Sequence, residues 1–185
     1  MVETKEFCCY FRCGRNDFSE IILMFPAGLP RRIFIIRHAE KPEAGDSPHL
    51  SAKGLLRAAA LPRYPFPPLA GIFAARTSRE SARPVETVTP LGAATGLTIE
   101  AEVRNKDFGK LVEELRSGRL AGKDLLICWH HEEIPHLTRA LGVNLTRSYR
   151  WPDVYDRVWV VTYLADGTPT FEDRPQRLLP GDSAV

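Results

Sequence analysis

The feature that most constrains the fold is a pair of uninterrupted apolar runs that end in the same way. Ile33–Ile36 runs straight into Arg37-His38, and Leu125–Trp129 runs into His130-His131. A strand that is apolar at every position is buried on both faces, as in a parallel sheet covered by helices. The rest of the chain alternates strand and helix in step with these two. Ser51 is placed to cap a helix running to about Ala60, and the prolines from Pro62 to Pro68 end it. Gly71–Ala75 reads as a strand. A helix starts near Pro84, with Pro90 inside it, where a kink is expected. Leu97–Val103 is a third strand, Asp107–Ser117 a helix, Asp124–Trp129 a strand, Ile134–Leu141 a helix and Arg157–Leu164 the final strand. This order predicts an α/β domain with a three-layer α/β/α architecture around a mostly parallel, doubly wound sheet.

The 185 residues suffice for a single domain with a full hydrophobic core. We place it at 31–166, with an N-terminal extension at 1–30 and a proline-rich, polar tail at 167–185 that is expected to lie on the surface. Only Met1 and Met24 are methionine, and residues 1–23 are read as dispensable. The apolar stretch Ile21–Phe25 is too short for a signal peptide. No apolar run approaches the roughly 18 residues that a membrane span requires. Cysteines occur at 8, 9, 13 and 128, which is no distributed disulfide framework and fits a reducing, cytoplasmic setting. Without a nearby histidine, the cluster at 8, 9 and 13 is a weak metal motif. The net charge of +2, from 25 basic and 23 acidic side chains, gives no electrostatic case for nucleic acid or an anionic membrane, local clusters aside.

Ligands of such sheets bind beyond the C-terminal ends of the strands. If both apolar strands are central and parallel, His38 and the histidines at 130 and 131 meet at that edge. A single histidine there would be adequately explained as a local cap. Two strand ends with histidines, one of them beside arginine, point to a site. Arg37 follows the first strand, and Arg79 and Arg83 follow the second. Guanidinium groups suit phosphate oxygens, and a helix starting near Pro84 adds unpaired backbone N–H groups. Together these residues describe a pocket for a dianion, most simply a phosphoryl group. His131-Glu132 begins a zincin-like pattern, but the residue four positions on is Pro135, so the spacing fails. No G-x-S-x-G elbow or Walker A loop occurs.

Four segments, in order, resemble the histidine phosphatase superfamily, which includes the phosphoglycerate mutase-like enzymes. RHAEKP at the end of the first strand resembles its RHG/RHAE signature. Leu50-Ser51-Ala52-Lys53-Gly54 with Arg57-Ala58 resembles L-[ST]-x-x-G-x-x-[QR]-A. Arg83 with Thr87 resembles R-x-x-x-T, and the segment from Leu126 to Ile134 resembles the strand and loop of the second histidine. The resemblance covers residues 32–165 and implies a phosphatase working through a phosphohistidine, with neither metal nor cofactor. His38 would be the nucleophile. Arg37, Arg83 and the second histidine would grip the phosphoryl oxygens. Lys41, Ser51, Arg79, His130 and Glu132 would be further substrate contacts. The family places an aliphatic residue three positions after the second histidine; Ile134 lies three beyond His131, which favours His131 over His130. Glu132 stands where the family usually has glycine, and a carboxylate there is expected to repel very acidic substrates.

The general acid is open between Glu102, Asp107, Glu132 and Glu133. Asn105 occupies the position where an acid is first expected, and a missing acid would favour substrates with good leaving groups. The substrate would be a phosphorylated small molecule or a phosphoprotein. The alternatives are a phosphoglycerate mutase-like phosphotransferase, a non-catalytic phosphate- or phosphoprotein-binding module on the same fold, and an interaction protein using its cysteine-rich N-terminus.

Overall fold

The computed structural model describes residues 28–44 and 46–184. The expectations for the segment at 1–27, with its three cysteines and the dispensable residues 1–23, lie outside these residues. In chain order the elements are β1 (Arg32–Arg37), α1 (Ala52–Ala60), β2 (Gly71–Ala74), α2 (Arg83–Thr95), β3 (Ile99–Glu100), α3 (Phe108–Arg116), β4 (Asp124–Trp129), α4 (Ile134–Ala140), β5 (Arg157–Tyr163) and β6 (Pro169–Pro175). Short 3-10 turns at Leu61–Arg63 and Asn105–Asp107 follow α1 and precede α3.

The six strands form one mixed sheet in the order β3-β2-β4-β1-β5-β6. The pairs β2–β3, β2–β4 and β1–β4 are parallel, whereas β5 runs antiparallel to both β1 and β6. The two continuous apolar runs are therefore adjacent central strands, as their burial demanded. Their side chains alternate between two cores. Ile33, Ile35, Leu125, Ile127 and Trp129 face the layer of α3 and α4, where they meet Leu111, Leu115 and Leu137. Phe34, Ile36, Leu126 and Cys128 face Val88 and Leu91 of α2 and the Leu61 turn. Period-two alternation with both faces apolar thus produces the three layers.

The helices start for local reasons. The Ser51 hydroxyl accepts the Gly54 N–H at 3.1 Å and caps α1. Pro84 occupies the first turn of α2, and the helix ends at Gly96 in the left-handed conformation. Pro90 lies within α2, which continues through it as one helix. Gly54 sits where α1 meets the loop after β1, and a Cβ there would collide with the Glu40 carbonyl.

Two expectations are corrected. The third strand is only Ile99–Glu100, an edge segment paired on one side. The segment from 167, expected as a surface tail, is a strand on the sheet's exposed edge: an Asp166-Gly167 turn, with Gly167 at φ 84°, folds it back as β6 along the whole of β5. Beyond β6, the Asp182 carboxylate docks on the buried Arg57, which also holds Glu40. Among the described residues, no helix is long and apolar enough to cross a membrane.

Candidate active site

β1, β2, β3 and β4 point the same way, so the segments that follow them gather at one sheet edge. Arg37 pairs in register with Trp129, and the His38 N–H donates to the Trp129 carbonyl at 3.0 Å. This register brings the histidines after β1 and β4 together: the rings of His38 and His130 lie 5.1 Å apart, edge to face. Arg37, His38, Lys41, Arg79, Arg83, His130, His131 and Glu132 all line one open cleft of about 1130 Å³. Ser51 does not line it, because its hydroxyl is spent on the α1 cap.

His38 is 3% exposed, and its Nδ1 lies 2.8 Å from the Ala39 carbonyl. A carbonyl only accepts, so Nδ1 carries the proton and Nε2 keeps its lone pair. The Ala39 N–H donates in turn to Thr87 Oγ1 at 2.8 Å, and that hydroxyl donates to the Arg83 carbonyl at 2.7 Å. Thr87 thereby ties the His38 loop to the start of α2, where Arg83 sits. Burial is the main influence that pushes the His38 pKa down to about 3; the bond to Ala39 opposes it, and the neighbouring His130, Arg37 and Arg83 reinforce it. Burial likewise takes His130 down to about 4, with Arg83 adding to it and Glu132 opposing. His131 is lowered by burial and by Arg37. The rings are therefore neutral at pH 7 and can meet a dianion as donor and nucleophile rather than as cations.

The two arginines are held by backbone oxygens and by an aromatic ring. Arg37 is 3% exposed, with Nη1 3.3 Å from the Val154 carbonyl and its guanidinium carbon 3.9 Å from the centre of the Tyr155 ring. Arg83 Nη1 donates to the Ser47 carbonyl at 2.8 Å. The Nε groups of both are buried and make no hydrogen bond among the described residues. These two buried donors are left without a protein acceptor.

Sequence reasoning missed several lining residues. Tyr155, whose ring also lies 6.1 Å from that of His38, comes from the loop before β5 and belongs to no motif. Arg76, Arg104 and Lys106 line the cleft beside Asn105 and Asp107. Their signal was position alone, since they follow β2 and β3 at the same sheet edge. Seven arginine and lysine side chains and three carboxylates (Glu80, Asp107 and Glu132) line the cleft, an excess of four positive charges on a chain with a net charge of +2. Of the acid candidates, Asp107 and Glu132 reach the cleft, whereas Glu102 lines a separate pocket with Phe73 and Leu111.

No family model matches the sequence, and no curated protein does. Solved structures do resemble this one. The protein histidine phosphatase SixA, solved with tungstate, superposes with a TM-score of 0.57 at 15% identity, over 78% of this chain and 97% of that one. Phosphoglycerate mutase of Plasmodium falciparum gives 0.55 at 16% identity, over 83% and 96%. A phosphoserine phosphatase of Entamoeba histolytica, in complex with 3-phosphoglyceric acid, gives 0.53 at 11% identity, over 80% and 99%. The strand order, the three layers and these superpositions agree that the chain has the fold of the histidine phosphatase superfamily.

Proposed function

We propose that this protein is a phosphatase that passes a phosphoryl group from a phosphorylated small molecule or phosphoprotein to His38 and then to water, without a metal. The observation that carries this reading is the state of His38: buried, neutral, with its Nδ1–H committed to the Ala39 carbonyl and its Nε2 lone pair available beside Arg37, Arg83 and His130. In the first step Nε2 bonds to phosphorus as the ester P–O bond breaks, and the leaving oxygen takes a proton. In the second, water attacks phosphorus and gives a proton to the carboxylate left by the first step, the P–N bond breaks with its electron pair returning to Nε2, and inorganic phosphate leaves. Arg37, Arg83 and a neutral histidine N–H hold the three non-bridging oxygens as charge develops on them. The ring contact with His38 favours His130 for that last role, where the sequence reading took His131. Asp107 and Glu132 are the acid candidates that line the cleft, and either supplies the leaving-group proton.

The test is metal-free release of phosphate from p-nitrophenyl phosphate by wild type and His38→Ala. Turnover lost in a folded variant supports the nucleophile. Full turnover in that variant refutes it. Tight binding of phosphate by a wild type that turns nothing over would favour the non-catalytic binding module, and transfer to an added alcohol in place of water would favour the phosphotransferase.

A further inference from the structure

Outside the cleft, the segment after β6 joins the loop that carries His38 to the loop that covers Arg37. Resting on the reading of His38 as the nucleophile, we propose that this hook, residues 176–183, is a positioning element for phosphoryl transfer, and that Asp182 is its positioning residue, acting on His38 through Arg57 and Glu40. None of residues 176–183 lines the cleft, so any effect on the reaction passes through other residues. One end of the bridge is Glu40, two residues after His38. Ala39, between them, gives its carbonyl to the His38 Nδ1–H. The Glu40 carboxylate accepts from Arg57 Nε and Nη2 at 2.8–3.0 Å, and Arg57 Nη1 and Nη2 donate onward to Asp182 at 2.8–2.9 Å. The other end is Asp156. Its main-chain carbonyl accepts the Gln176 N–H at 2.6 Å, and its Oδ2 accepts the Ser183 N–H at 2.5 Å. Asp156 follows Tyr155, whose ring covers the Arg37 guanidinium. Asp182 is therefore anchored against the Tyr155 loop while it holds the His38 loop.

The hook is shaped to deliver this carboxylate. Pro180 and Gly181 are the corners of a tight turn, with Gly181 at φ 87° and the Asp182 N–H donating to the Leu179 carbonyl at 3.1 Å. Asp182 Oδ2 also accepts the Leu178 and Leu179 N–H groups at 2.8 and 3.0 Å, which fixes the carboxylate within its own loop. Where the chain leaves β6, Arg177 has φ 53°, a left-handed conformation that a non-glycine residue keeps only where its surroundings over-determine it. The network buries the carboxylates of Glu40, Asp156 and Asp182 together with the Arg57 guanidinium, and Asp156 Oδ1 has no partner among the described residues. Replacing buried charges by apolar side chains of similar volume is often neutral or stabilising, so stability alone does not account for this choice. Charged hydrogen bonds add direction and a set distance. His38 needs both, because Nε2 must meet phosphorus in line, and a misplacement of about 1 Å costs about a hundredfold in rate.

The test separates position from stability. Arg57→Met/Glu40→Gln/Asp182→Asn removes the charged bonds without burying a lone charge, and Asp182→Ala releases the hook while leaving Arg57 on Glu40. Both are studied in the full chain at a temperature where circular dichroism shows them folded. Rapid quenching with p-nitrophenyl phosphate reads the rate of phosphoenzyme formation, and calorimetry with inorganic phosphate reads ground-state binding. Phosphoenzyme formation is expected to slow about ten- to a hundredfold in both variants, with the Kd for phosphate within about twofold of wild type. The triple variant should show this loss at a melting temperature close to wild type, which a purely structural role would not produce. Wild-type rates in both folded variants overturn the positioning role and leave the phosphatase reading standing. Phosphate binding that weakens as much as the rate also overturns it, since the hook would then only hold the pocket together. A wild type that turns over without a phosphoenzyme overturns the reading of His38, and the positioning role falls with it.

Discussion

Replacing Arg57 with alanine should cost this protein more stability than any surface charge, because Arg57 is the cation between two buried carboxylates. The residue is 3% exposed. Its Nε and Nη2 donate to Glu40 at 2.8–3.0 Å, its Nη1 and Nη2 to Asp182 at 2.8–2.9 Å, and its Nη1 also reaches Gln176 Oε1 at 3.3 Å. Without Arg57, the Glu40 and Asp182 side chains, 9% and 4% exposed, lose their buried counter-charge. Removing one partner of a buried pair costs about 3–5 kcal/mol. At about 2–4 °C per kcal/mol for a chain of this size, the melting temperature falls by about 6–20 °C. Arg119, which pairs with Glu100 and Glu114 on the surface, is the control, and its alanine variant should lose no more than about 1 kcal/mol. The neutral combination Arg57→Met/Glu40→Gln/Asp182→Asn should recover most of the loss, since it buries no lone charge. Urea unfolding and thermal circular dichroism at pH 7 measure all of these. Burial pushes the Asp182 carboxyl up, but the bonds from Arg57 and from the Leu179 and Leu178 N–H groups outweigh it and hold it down to about 2. A carboxyl depressed on folding stabilises fully above its ordinary value of 3.8 and loses that contribution as pH falls toward 2, so the gap between wild type and Arg57→Ala should narrow in acid. A cost for Arg57→Ala no larger than for Arg119→Ala would refute this account of the network.

Three further predictions concern the cleft. His130→Ala should lower kcat by about a hundred- to a thousandfold, as the loss of a transition-state donor does, and His131→Ala by much less; the reverse order in steady-state kinetics would restore the role to His131. Tyr155→Leu, which removes the ring over Arg37 at 3.9 Å, should weaken binding of inorganic phosphate by about tenfold, with Tyr155→Phe retaining most of it; equal loss in both would assign the effect to the hydroxyl. Imidazole resonances followed by NMR should show His38 and His130 still neutral at pH 5, protonating only toward about 3 and about 4. Because folding lowers both values, the unfolded chain takes up these protons first, so the two rings leave stability unchanged above about 6.5 and cost the native state progressively more as pH falls from there toward about 3. A midpoint near 6.5 for either ring would contradict the burial argument.

The parts of this molecule that were legible in the sequence are those where a local pattern and a tertiary demand coincide. Ile33–Ile36 and Leu125–Trp129 have no polar position, so a central parallel pair was their natural place, and the strand bounds Asp124–Trp129 were read without error. Ser51 and Pro84 announced two helix starts through capping and a fixed φ. The edge strands were harder. β6 carries Pro169, Glu172, Asp173, Arg174 and Pro175, a composition suited to an edge that must not pair further, and it therefore reads as a tail. The Asp166-Gly167 pair after an apolar strand is the one local hairpin signal for it. Among the residues that line the cleft, Arg37, His38 and Arg83 stand at strand and helix ends, where a local pattern points to them. Tyr155, Arg76 and Arg104 have no such signal, because each reaches the cleft through the strand order β3-β2-β4-β1-β5, which no local pattern specifies. The contact between the His38 and His130 rings follows from the register Arg37↔Trp129, which no local pattern specifies.

The central claim, that His38 accepts the phosphoryl group, is tested most directly by trapping the intermediate. Wild type mixed rapidly with a chromogenic aryl phosphate and quenched in alkali, where phosphohistidine survives, should carry one phosphoryl group. Peptide mapping should place it on Nε2 of His38, it should be lost on acid treatment, and it should be absent from His38→Ala. A phosphoryl group on another residue, or turnover in wild type with no phosphoenzyme at any quench time, would contradict the account.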